Sequence, residues 1–300
     1  MSLPPALIRF VPLAFVLLWS TGFIGARYGL PYIEPFNLLL IRMLLTLGVF
    51  LALIFVFRAR WPSPVQAMHQ LVAGALVHGC YLGGVFAAIK WQLPAGVTSI
   101  LVGLQPVLTA VLAWMMTGQT LRRPQWGGLM LGLLGVVLVL GSGLQPGSFE
   151  VRTEAVLAAM VALVGISVGT LYQKRFGSGT DLLTGSFFQY LSTALMMALL
   201  SFGLETREIE WHPELVGALL WLVFGLSVSA ILLLMLMIRE GEVARVASYF
   251  YLVPPVTALE AWWLFGEELS GLALGGMALA VFGVYLVLRP ARSLQEKPNA

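Results

Sequence analysis

The sequence predicts an all-α integral membrane protein of ten transmembrane helices in two inverted five-helix repeats. Three observations carry that expectation. The 300-residue chain is 59% hydrophobic and only 10% charged, too little polar surface to cover a soluble globule of this size. Its apolar residues fall into stretches long enough to cross a bilayer, which takes about 20 residues of helix. And its second half repeats its first at a constant offset.

The stretches lie near 10–28, 35–57, 67–89, 94–117, 125–141, 153–173, 181–203, 214–238, 243–266 and 270–288. Between them stand breaks rich in Pro, Gly and charge: FRARWPSP, TGQTLRRPQ, QKRFGSGTD and TREIEWHPE. The first apolar run has no small-residue cleavage site before Arg27, so it reads as a span rather than a secretory signal.

Ten spans place both termini on one side. Alternate loops hold Arg9, Arg58, Arg60, Arg122, Arg123, Lys174, Arg175, Arg239, Arg245, Arg289, Arg292 and Lys297, whereas the opposite side holds only Arg27, Lys90, Arg152 and Arg207. Glu205, Glu208, Glu210, Glu267 and Glu268 collect with that second set. Because basic loops stay in the cytoplasm, both termini are expected inside and the 204–213 loop outside.

The repeat is read from PVLTAVLAWMMTGQTL at 106–121 and PPVTALEAWWLFGEEL at 254–269, an offset of 254 − 106 = 148 residues. The same shift places Gly127 and Gly128 on Gly275 and Gly276, Gly135 on Gly283, and the LVL at 138–140 on the LVL at 286–288. The halves are 8–142 and 152–290. An odd number of spans per half forces the second copy to run the opposite way through the membrane.

The pattern P-x-x-T-A-x-x-A-W-x-x-x-G-x-x-L in each half, with LLWSTGFIGARYGL at 17–30 and GEEL at 266–269, resembles the EamA family of the drug/metabolite transporter superfamily. The first half departs from it in reading GQTL at 118–121 where a glutamate would follow the glycine. The resemblance spans nearly the whole chain. It implies a ten-helix carrier of small metabolites in a bacterial-type inner membrane, similar to the exporters of aromatic amino acids.

Physical reasoning arrives at a carrier independently, since inverted repeats give one scaffold two related conformations about a midplane site. Polar groups near that depth are Trp19, Ser20, His78, Tyr81, Gln105, Ser167, Thr170, Ser227, Ser248 and Tyr251. His78 with Tyr81, and Ser248 with Tyr251, are three residues apart and so share helix faces. The expected substrate-binding set is Trp19, Ser20, His78, Tyr81, Gln105, Ser248 and Tyr251, with an aromatic or bulky apolar amino acid held against Trp19 and Tyr251. A membrane serine or threonine also serves its own backbone or a neighbouring helix, and Gln105 could satisfy a carbonyl freed by Pro106.

Two charges stand inside spans. Glu260 lies roughly 9 Å and Arg42 roughly 10 Å from the outer ends of their helices at about 1.5 Å per residue. A gating or structural ion pair between them is expected, against the alternatives of a proton-coupling Glu260 and a glutamate reaching outer-face water.

Other chemistries find little support. The single cysteine excludes an intramolecular disulfide, and His69, His78 and His212 are spaced too widely for an HExxH metal site. Gly165-Ile166-Ser167-Val168-Gly169 matches the G-x-S-x-G of hydrolases but sits in a continuous apolar helix, without the strand-to-helix turn that places such a serine. No phosphate-binding G-x-x-x-x-G-K-[ST] occurs. No enzyme activity, cofactor or metal is expected. The expected partners are a small-molecule substrate and the lipid bilayer, with no nucleic acid, and a monomer suffices. A passive channel or an exporter of drug-like aromatic cations are the rival functions.

Overall fold

The structure is a computed structural model that describes residues 10–91, 93, 98, 101–118, 121–141, 152–241, 243–266 and 269–288. Among them, the regular structure is helical apart from one isolated bridge, Ile33 to Ile209. The helices are α1 (Val11–Gly29), α2 (Pro35–Phe57), α3 (Pro64–Lys90), α4 (Gln105–Thr117), α5 (Arg123–Gly141), α6 (Thr153–Phe176), α7 (Leu182–Leu204), α8 (Pro213–Glu240), α9 (Val243–Ser248), α10 (Val253–Phe265) and α11 (Gly271–Leu288). Seven of these, α1, α2, α3, α6, α7, α8 and α11, are long and apolar enough to cross a membrane. Shorter apolar helices run over Gln105–Met116 and Arg123–Val139. Glu267, Glu268 and the C-terminal Arg289, Arg292 and Lys297 lie outside the described residues.

Local sequence explains the helix ends. Proline, which needs no N–H partner in the first turn, opens α2, α3 and α8. Ser63 and Gln66 cap α3 reciprocally, each side chain accepting from the other's backbone N–H. The W-x-x-x-G element of the repeated pattern is a helix stop. Gly118 and Gly266 take left-handed conformations, with φ of 69° and 65°, and their N–H groups donate to Trp114 O and Trp262 O at 2.8 and 3.1 Å.

Departures from regular α-helix fall at matched places. A π-helical stretch, Ala75–Cys80, interrupts α3, and another, Leu222–Ala230, interrupts α8. The repeat offset carries the first into the second. Such widened turns concentrate at functional sites, and these two carry His78 and Ser227. Between α9 and α10 the chain passes through a 3₁₀ turn, Tyr249–Leu252. Pro254 and Pro255 explain it: they lack the N–H groups that would bond the carbonyls of Phe250 and Tyr251 in a continuing α-helix. Val253 N–H instead takes the carbonyl of Phe250, three residues back.

Packing relies on glycine, as expected where lipid removes the hydrophobic drive between helices. In α5 and α11 the contacts are reciprocal. A β-carbon at Gly128 would lie 2.5 Å from Gly283 O, and one at Gly135 would lie 2.5 Å from Gly276 O. The repeat offset exchanges these two contacts.

Candidate functional site

Two groups of residues converge where α1, α2, α3, α7, α8 and α10 meet. The first is aromatic. Trp19 of α1 lies 5.2 Å from Phe15 and 5.3 Å from Phe250 between ring centroids, the latter edge to face. Phe15 closes the triangle at 5.2 Å from Phe250. The Tyr81 side chain of α3 lies close to Trp19, where a hydroxyl can face the indole N–H. Next to this cluster, buried Ser20 Oγ lies 2.7 Å from Glu260 Oε1 and 2.8 Å from its own Leu17 carbonyl, its one hydroxyl hydrogen shared between the two acceptors. Glu260 Oε2 is buried without a hydrogen-bond partner.

The second group is polar. Buried Arg42 donates from Nε to Ser227 Oγ at 2.8 Å, and the Tyr190 hydroxyl lies close to both side chains. The His78 ring packs on Tyr190 at 5.1 Å. His78 Nε2 lies 3.2 Å from Gln189 Oε1, and Gln189 Nε2 donates to Gln70 Oε1 at 2.6 Å and to Gln173 Oε1 at 3.2 Å. Beyond these glutamines lies a small, partly open pocket lined in part by Thr180, Ser186 and Met235. The widened turn of α3 puts His78 toward the polar group, while Tyr81, three residues on, reaches the aromatic one.

The expected set is therefore divided. Trp19, Ser20 and Tyr81 come together, and His78 joins the polar group. Gln105 is buried at the start of α4 with Nε2 unpartnered. Ser248 is satisfied by its own helix, donating to Arg245 O at 2.7 Å.

Two expectations need correction. Tyr251 does not face Trp19: it belongs to a separate cluster with Ala110, Leu129, Val136, Val284 and Val287, its ring laid over Gly132. Phe250 takes its place. Nor do Arg42 and Glu260 form an ion pair. Glu260 is held by Ser20, and Arg42 by Ser227 and Tyr190. Equal depth from the outer face did not imply proximity, because the partner helices α1 and α8 supply hydroxyls to each charge first.

Reading the sequence missed Phe250, Tyr190 and the glutamines 70, 173 and 189. An amide inside a span, costly unless paired, was the available signal for Gln189.

Comparison with known proteins places this arrangement. An uncharacterized transporter of Bacillus subtilis, YvbV, is 27% identical over 92% of this chain and 90% of its own length. A probable amino-acid metabolite efflux pump of Salmonella typhimurium is 26% identical over 92% of this chain and 93% of its own. A solved crystal structure superposes with a TM-score of 0.79 at 23% identity, covering 95% of this chain and 97% of that one, a likeness of fold. The profile of the EamA-like transporter family matches residues 8–141 and again 153–289. With its apolar spans, this makes the chain a multi-pass membrane protein that belongs to the EamA-like transporter family.

Proposed function

We propose that this chain is a ten-span secondary transporter that exports amino acids with aromatic or bulky apolar side chains from the cytoplasm, by alternating access around the two groups just described. The spans form two inverted repeats, 8–142 and 152–290, in a cell inner membrane with both termini cytoplasmic. The observation that carries this reading is the reciprocity of Gly128 on Gly283 and Gly135 on Gly276. Contacts that exchange under the repeat offset are what a two-fold axis lying in the membrane plane produces, and the matched π-helical turns obey the same exchange. Such symmetry supplies two conformations of similar energy about a central site.

The aromatic triangle of Phe15, Trp19 and Phe250 supports a flat apolar side chain as ligand, and the polar group beside it suits the ligand's charged end. The name borne by the Salmonella relative agrees with amino acids as cargo. A second reading, export of aromatic cations, is favoured by the unpartnered Oε2 of Glu260 beside the same rings.

Purified protein in liposomes separates these readings. Uptake of radiolabelled amino acids and aromatic cations, with and without a pH gradient, is expected to give saturable counterflow for phenylalanine, tyrosine or tryptophan. Saturable counterflow for cations alone would favour the second reading. Unsaturable flux would identify a channel.

A further inference from the structure

Arg42 is 7% exposed, and no described carboxylate forms an ion pair with it. Its described partners are the neutral hydroxyls of Ser227 and Tyr190. They orient the guanidinium without balancing its charge, and a cation withdrawn from water costs several kcal/mol when no anion answers it. Within a membrane protein such a charge marks a ligand or ion pathway. A guanidinium also carries five N–H donors in a rigid fork shaped for a carboxylate, more than two hydroxyls use.

Its position adds a second argument. Tyr190 is the residue that matches Arg42 at the repeat offset, and its hydroxyl lies close to the Arg42 guanidinium. Equivalent residues that touch lie on the axis relating the two halves. A group reaching toward such an axis can meet a ligand from either half of the chain. Ser227 and His78 reach this point from the two π-helical turns, Ser227 bonding to Arg42 and His78 packing on Tyr190.

We propose that Arg42, oriented by Tyr190 and Ser227, is the receptor for a carboxylate on the transported molecule. The proposal deepens the transport reading and rests on it. It restricts the cargo to carboxylate-bearing molecules, whose anion completes a charge balance that the ligand-free protein leaves open.

The test measures binding of three probes to the purified full-length chain by titration calorimetry: L-phenylalanine, 3-phenylpropionate, which lacks the ammonium, and phenethylamine, which lacks the carboxylate. Arg42→Gln is expected to weaken both carboxylates at least about tenfold while leaving phenethylamine unchanged, the loss of a charge-assisted contact. If Arg42→Gln yields no folded protein, Arg42→Lys decides, since lysine keeps the charge but not the fork: a weakening of about tenfold or more supports the proposal and undiminished carboxylate binding overturns it. Binding of phenylpropionate but not phenylalanine keeps the carboxylate site and removes the amino-acid reading. Phenylalanine binding that Arg42→Gln leaves untouched removes the carboxylate site and keeps the amino-acid reading. Failure of both carboxylates to bind the wild-type protein overturns the proposal.

Discussion

Ser20 Oγ donates to Glu260 Oε1 at 2.7 Å, tying α1 to α10 across the two halves of the chain. Thr257 adds a second tie from the same helix, donating from Oγ1 to Ser20 O at 3.3 Å. A hydrogen bond to a charged group contributes about 1.5–3 kcal/mol. Ser20→Ala should therefore lower the thermal stability of the detergent-solubilised protein, and Glu260→Gln, which keeps an acceptor oxygen, should lower it less. Exchanging the charges, Glu260→Arg with Arg42→Glu, should not restore transport lost in either single variant, because the two side chains do not pair. Recovery in that double variant would restore the ion pair to consideration.

The contact between α5 and α11 makes a separate prediction. Gly135 and Gly283 each lie against backbone of the facing helix, so a side chain has nowhere to go. Gly135→Leu and Gly283→Leu should each force the helices apart and destabilise by about 1–3 kcal/mol or more. Gly127 and Gly275 occupy the neighbouring repeat positions but face open space, and leucine there should be tolerated. Melting temperatures of the four variants check the pattern. Equal effects at all four would contradict close packing on one glycine face.

The spans were legible because apolar length and the proline and glycine punctuation act locally. Seven helices long and apolar enough to cross a membrane fall on apolar stretches of the sequence, and the stop at Gly118 and Gly266 follows from a motif visible in the sequence. Trp19, Ser20 and Tyr81 were legible for a similar reason: polar atoms in lipid must be paired, and these are. What periodicity could not supply was the helix type within a span. Helical spacing put Tyr251 on the face of Ser248 but could not say which face meets α1, and the turn ahead of Pro254 presents Phe250 to Trp19. Depth counting likewise placed Arg42 and Glu260 level with each other but carried no information on which helices lie between them.

That difference can be tested at two adjacent residues. Phe250→Ala removes one side of the aromatic triangle and should weaken transport with little loss of folded protein. Tyr251→Ala empties a fully buried site over Gly132 and should cost about 3–5 kcal/mol, as large-to-small changes of buried aromatics do. Tyr251→Phe should be neutral or mildly stabilising, since the hydroxyl is buried without a partner. Stability and counterflow measured on all three would show whether binding and packing separate. Normal transport by Phe250→Ala would remove this residue from the site.

At the face assigned to the outside, two glutamates tie the segment after α1 to the segment after α7. Glu205, its side chain wholly buried, accepts from Phe36 N and Asn37 N at 2.8 and 2.7 Å, satisfying the first turn of α2 where an anion is favoured. Lys90 bridges it to Glu34, with N–O distances of 3.5 and 3.8 Å. Glu34 Oε2 in turn accepts from Thr206 N, Thr206 Oγ1 and Arg207 N at 2.7, 2.8 and 2.9 Å. Burial is the largest single influence on Glu34 and raises its pKa, but the bonds from Thr206 and Arg207, with the charge of Lys90, together hold it below the usual carboxylate range. A carboxylate depressed in the folded state stabilises it above the unfolded pKa, about 4.3, and that contribution is lost as pH falls through the folded value. Proteolysis within 204–213 on right-side-out vesicles should therefore rise as pH drops below about 4, measured with an acid-active protease. Glu34→Gln should raise cleavage at neutral pH and flatten its dependence on acid, while Glu205→Ala, which orphans two buried N–H groups, should cost about 2–5 kcal/mol at neutral pH. Unchanged acid dependence in Glu34→Gln would assign the opening to another group.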